Sequence, residues 1–173
     1  MNPIGITKSD TISVAFLFYH VKYFHYFYSM EPRNYLDTYE RKETYPVEEV
    51  LKHVVPGIKR NFRVDFDGDS IKMHSDRYFT FKYKGCKCVK CNMEGTYFAK
   101  ERHKFVSTEK YKDTYGQSYH FNLYGIKEGR EVMMTKDHIF PKSKGGKDNV
   151  ENYQPMCIEC NAEKKNNVED VKQ

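Results

Sequence analysis

Apolar residues recur along this chain with two different periods, and the switch between them outlines its elements. Val47, Val50, Leu51 and Val54 follow helical spacing, with Pro46 at the first turn and Pro56-Gly57 as the stop. Arg63-Val-Asp-Phe66 and Ser70-Ile-Lys-Met73 flank Asp67-Gly68-Asp69, the pattern of a β-hairpin. Arg77 to Lys84 alternates Phe79, Phe81 and Tyr83 against Tyr78, Thr80, Lys82 and Lys84, which predicts a strand. Its basic, aromatic face suits nucleic acid, or an exposed edge that lysines keep from pairing. Tyr97 to Arg102 is a further packing segment, and residues 103–118 read as a polar, basic surface loop. Tyr119–Tyr124 and Glu131–His138 predict paired strands around a Gly125–Gly129 turn. Tyr153 to Met156 can return as another strand, and a helix is expected to start after Cys160. The tail after Asn167 is charged and predicted to fray.

Residues 1–29 fit neither period, because the run Phe16 to Tyr28 is aromatic on every face. His20, Lys22 and His25 interrupt it, and it is too short for a membrane span. It has no small-residue cleavage site of the kind a signal peptide carries. Three readings stay open: a packing or oligomerisation segment, a membrane-surface helix, or residues translated from an upstream start. Ordinary composition resumes at Met30, which favours the last. The expected organisation is therefore 1–29 outside the fold, 30–84 as a helix-plus-hairpin region, and 85–173 as a functional domain.

With 173 residues, 39% of them hydrophobic, the chain predicts one modest core helped by a crosslink or a metal. The net charge of +5 is unevenly placed, with 15 Lys and Arg against 7 Asp and Glu between Lys82 and Lys147. Such a surplus suits a polyanionic partner. Five cysteines are present, and Cys88-x-x-Cys91 and Cys157-x-x-Cys160 have the spacing of zinc knuckles. The knuckles are 65 residues apart, so the fold must bring them together. Structural zinc is the expected occupant and a redox dithiol the competitor, with Cys86 as the spare. The odd cysteine count argues for a reducing cytoplasm, the expected location.

The chemistry concentrates in Asp137-His138-Ile139-Phe140-Pro141-Lys142-Ser143-Lys144-Gly145-Gly146, followed by Asn149, Asn152 and Cys157-Ile158-Glu159-Cys160-Asn161. A carboxylate and an amide oxygen suit a hard divalent ion such as Mg²⁺. A neighbouring neutral His can take a proton from attacking water. Together these groups point to phosphodiester hydrolysis. In strand, loop, strand, helix order, Asp137, His138 and Asn161 are able to converge.

Asp137-His138, Gly145-Gly146, Asn152 and Cys157-x-x-Cys160-Asn161, in that order, resemble the HNH endonuclease family. The resemblance spans about Cys88 to Asn167 and extends, more loosely, to short phage-encoded members. It implies an α+β fold: small antiparallel hairpins plus a ββα-metal finger core stapled by a four-cysteine zinc site. It also implies His138 as general base, Asp137 and Asn161 as ligands of a catalytic Mg²⁺ or Mn²⁺, and Asn152 as the brace of the intervening loop. The third motif position is Asn161 where other members carry His. Lys142, Lys144 and Lys147 are expected to hold DNA phosphates. The expected partner is DNA, with no membrane, and a homodimer is among the assemblies allowed. The competing reading is a catalytically silent, zinc-dependent DNA-binding, packaging or regulatory accessory protein.

Overall fold

The computed structural model describes residues 38–104 and 118–168. Residues 1–29, most of the predicted loop at 103–118 and the end of the charged tail lie outside these. The described residues belong to one compact unit, Thr38–Gln173. The fold is α+β. Among the described residues, seven strands (β1 Tyr39–Pro46, β2 Arg63–Phe66, β3 Asp69–Lys72, β4 Tyr97–His103, β5 His120–Lys127, β6 Arg130–His138, β7 Tyr153–Cys157) accompany three short helices. The helices are α1 Val47–Leu51, α2 Asp76–Lys84 and α3 Ile158–Lys164. Strands β1, β4, β5, β6 and β7 form one sheet in that order with antiparallel pairing throughout, and β2–β3 is a separate hairpin.

Two tight turns have a direct cause in sequence. Asp67-Gly68 (φ 52° and 81°) and Glu128-Gly129 (φ 52° and 74°) both place two consecutive residues in the left-handed region. That geometry matches the twist of the flanking strands, and Gly takes the second position without a Cβ penalty. The second turn sets the register Lys127↔Arg130 and hence the whole of β6.

β6 changes partners along its length. Its first half pairs with β5 and its second half, Met134 to His138, pairs with β7. Among the described residues, the β5 backbone around Phe121 therefore has no strand on that side. Helix α2 fills the gap: Tyr78 Oη accepts from Phe121 N at 2.9 Å, and Arg77 Nη2 donates to Phe121 O at 2.7 Å. Buried backbone groups need such partners.

Here the sequence reading of Arg77–Lys84 as a strand is corrected, since the segment is helical. The aromatics at 78, 79, 81 and 83 satisfy both periods. Packing decides, because Tyr78 and Phe81 lie one turn apart and are both buried against Phe98. Gly85, at φ 89°, ends the helix. With Tyr78 and Thr80 buried, the expected nucleic-acid face of that strand does not exist. Helix α1 also ends earlier than its predicted stop, at Leu51, although Val54 still completes the buried stripe. The core joins these residues to Phe66, Ile71, Phe121, Leu123, Met134 and Met156. No helix among the described residues is long and apolar enough to cross a membrane.

Candidate active site and metal centre

The two cysteine knuckles meet. The Sγ atoms of Cys88, Cys91, Cys157 and Cys160 all lie within 4.8 Å of one another, and Cys91 Sγ is 3.8 Å from Cys157 Sγ. A tetrahedral ion with metal–sulfur bonds of about 2.3 Å needs sulfurs roughly 3.8 Å apart, so the cluster has the size to hold one. Backbone order explains the approach. Asn92 (φ 62°) turns the first knuckle back so that Asn92 N donates to Cys88 O, and Val89 N donates to Pro155 O of β7 at 3.1 Å. Cys160 N donates to Cys157 Sγ at 3.5 Å, which favours a thiolate there. Burial opposes ionisation of Cys88, but backbone N–H groups of Cys91, Cys157 and Lys90 outweigh it and bring this thiol down to about 7. Burial pushes the Cys157 and Cys160 thiols up. Cys86 stands outside the cluster, against Phe81 O, with its thiol raised by burial to about 11.

The knuckles clamp the strand–loop–strand–helix unit made by β6, the 139–152 loop, β7 and α3. Side chains alternate along β6, so Thr135 and Asp137 face α3 while Lys136 and His138 face the other way. Asp137 is 7% exposed, and its Oδ2 accepts from both Gln154 Nε2 and Lys164 Nζ at 2.8 Å. Asn161, one turn before Lys164, donates through Nδ2 to Thr135 Oγ1 at 3.0 Å. Its amide oxygen is thus left for a cation, and Asp137 keeps Oδ1. These two oxygens, one from β6 and one from α3, are of the type that suits a hard divalent ion. The buried ammonium of Lys164 already neutralises Asp137, which weakens the pull on that ion.

His138 sits on the opposite face, so the three motif residues flank the end of β6 instead of meeting at one point. Lys164 links the two sides by donating also to His138 O at 2.7 Å. The imidazole packs edge-on against Tyr153, with centroids 5.0 Å apart, and its Nε2 lies 2.8 Å from Asp148 Oδ1. Lys142 Nζ is hydrogen-bonded to Asp148 Oδ2. The Lys142 ammonium, and then His138, holds the Asp148 carboxyl well below the usual carboxylate range. Sequence reasoning passed over Asp148, Tyr153, Gln154 and Lys164, since no spacing marks them. His120, on β5, packs with Tyr39 and His103, and burial lowers its pKa to about 4.

Asn152 holds the loop in shape. Its Oδ1 accepts from Phe140 N at 2.9 Å, and its Nδ2 donates to Phe140 O at 3.1 Å and Lys147 O at 3.0 Å. Lys144 and Lys147 project from this loop and are exposed, whereas Lys142 is engaged by Asp148. Gly146 has no room for a side chain, because a Cβ there would lie 1.9 Å from Phe140 O. Gly146→Ala should therefore open the loop at a cost of about 1–3 kcal/mol. For a chain of this size that lowers Tm by roughly 2–12 °C, and a thermal melt with no change would contradict the packing described.

Residues 126–171 match the family model described as HNH endonuclease. This segment, from the end of β5 into the residues after α3, covers about a quarter of the chain and is what the chain shares with that family. No curated protein and no solved structure matches the chain.

Proposed function

We propose that the protein is a metal-dependent endonuclease that hydrolyses DNA phosphodiester bonds. The observation that carries this reading is the single unit, within the matched segment, that presents Asp137, His138 and Asn161 around one strand end. His138 acts as general base and takes a proton from the attacking water. Asp137 and Asn161 hold Mg²⁺ or Mn²⁺ through their free oxygens. When bound, that ion supplies charge stabilisation for the phosphorane-like transition state and the leaving 3′ oxygen. The products then carry 5′ phosphate and 3′ hydroxyl ends. Lys144 and Lys147 neutralise flanking phosphates, which gives salt-dependent affinity without base reading. A hollow of about 440 Å³ beside exposed Phe140 offers room for a neighbouring nucleotide. The four cysteines hold zinc as a staple, consistent with a reducing cytoplasm.

One observation favours a second reading. The Lys164–Asp137 ion pair occupies the carboxylate that the reaction needs for its metal, as a silent DNA-binding protein would allow. Purified protein incubated with supercoiled plasmid and Mg²⁺ or Mn²⁺ separates the two. Relaxed or linear product supports hydrolysis, and plasmid that is retarded on a gel but remains supercoiled supports binding alone.

A further inference from the structure

We propose that the exposed face of helix α2, built on Phe79 and Tyr83, is a stacking platform for an unpaired stretch of DNA. The choice of DNA as the occupant rests on the nuclease reading above. The strand expected over Arg77–Lys84 is absent, but the helix in its place presents a different set of side chains. Phe79 and Tyr83 lie one turn apart, with ring planes 6° from parallel and centroids 6.2 Å apart. His74, just before the helix, packs edge-on against Phe79 with centroids 5.3 Å apart. Phe79 is partly buried and anchors the group to the core, whereas Tyr83 is 47% exposed. An aromatic pair at this spacing adds little to a helix by itself. Its flat, parallel rings are what a base can stack on.

Charge selects the occupant. Lys72, two residues before His74, and Lys82 and Lys84, on either side of Tyr83 in sequence, are exposed. None of the three forms an ion pair among the described residues. Asp76, the acid of this helix, is engaged by Lys136 at 3.4 Å and by the Tyr153 hydroxyl at 3.2 Å. Lysines in a last turn suit the helix dipole, which accounts for Lys82 and Lys84 but not for Lys72 or for the exposed ring. Aromatic faces beside unpaired cations match the two features of a single strand, its open bases and its phosphates. A duplex hides its base faces, and an apolar protein surface would leave the lysines unmatched. The helix also starts at the candidate site, because Asp76 bonds to Tyr153, whose ring packs on His138 with centroids 5.0 Å apart. From Asp76 to Tyr83 it advances about 10 Å, on the order of three base steps. A strand stacked on Tyr83 is therefore a few nucleotides from the imidazole. The platform lies outside residues 126–171 and so adds to what the family segment supplies.

Fluorescence anisotropy with the full chain, without added Mg²⁺ or Mn²⁺, compares a dye-labelled oligo-dT strand, an abasic strand of equal length and a duplex. The wild type should bind oligo-dT at least about 5-fold more tightly than the abasic strand, the margin that one stacked base supplies. That comparison needs no variant. Tyr83→Ala should lose the margin on oligo-dT and bind the abasic strand and the duplex as the wild type does. Tyr83→Phe, which keeps the ring, should match the wild type on all three. Equal wild-type affinity for oligo-dT and the abasic strand, or undiminished oligo-dT binding by Tyr83→Ala, would overturn the proposal. Sedimentation that shows a dimer lost in Tyr83→Ala, with oligo-dT binding intact, would give the face to a second copy of the chain and overturn it likewise. A wild type that holds oligo-dT with the expected margin but cleaves no plasmid would overturn the nuclease reading and leave the platform standing.

Discussion

Cys157→Ala is expected to lose both its metal and its cooperative unfolding transition. Cys157 is fully buried and stands at the junction of β7 and α3, opposite Met134 of β6. The ion it would help hold ties the Cys88–Cys91 loop to the strand and helix that carry the candidate site. Structural zinc in small domains contributes about 10–16 kcal/mol of apparent binding energy, and that energy is folding energy. The net stability of a whole domain is only about 5–15 kcal/mol. Removing one of four thiolates should therefore unfold the unit near room temperature or leave a broad, uncooperative melt. Cys86→Ala serves as the control, because its sulfur faces Phe81 O outside the cluster and should leave metal content unchanged. Elemental analysis and calorimetry read both variants. One zinc per chain with an unaltered melt in Cys157→Ala would remove the staple from the account.

Which parts of this architecture were legible follows from how local their causes are. The β5–β6 hairpin and β7 announce themselves through apolar runs between turn residues, and Glu128-Gly129 fixes their register within the chain's own neighbourhood. The cysteine knuckles were legible as pairs, and the fold supplies their meeting across 65 intervening residues. β1 gives no comparable signal. Its sequence, YERKETYP, lacks apolar alternation. It joins the sheet through backbone pairing and cross-strand charges, Arg41 to Glu101 at 2.7 Å and Arg102 to Glu40 at 2.8 Å. Those partners lie some sixty residues apart, so no window along the chain contains both.

Helix α2 was misread for the opposite reason, since its aromatics give a strong signal that suits two periods. Only the gap beside Phe121 and the pocket around Phe98 select the helix. The candidate site divides in the same way. Asp137, His138, Asn152 and Asn161 stand in one motif and could be picked out together. Asp148 and Lys164 act through a folded loop and a helix face, and both are ordinary charged residues until the backbone places them beside His138 and Asp137.

His138→Ala should abolish most cleavage while leaving the protein folded. The imidazole is partly exposed at the last residue of β6, and its strand is held by pairing to β7 and by the knuckles nearby. Its side chain packs on Tyr153 and is hydrogen-bonded to Asp148 at the rim of the sheet, so the melt and the metal content should stay close to wild type. DNA affinity should also persist, because Lys144 and Lys147 are untouched. The rate should not persist. A positioned general base contributes typically about 10²–10⁴ in rate, and a loss of that order is expected here. Asp137→Ala should behave differently. It removes a candidate metal ligand and strands the buried Lys164 ammonium, so it should lower stability as well as activity.

The most direct measurement is the rate of supercoiled plasmid conversion by wild type and His138→Ala, purified side by side and assayed with Mg²⁺ or Mn²⁺. Metal-dependent conversion by the wild type, lost on chelation, is expected, with a rate at least about 10²-fold lower in the variant. Equal rates for the two proteins would contradict His138 as the general base.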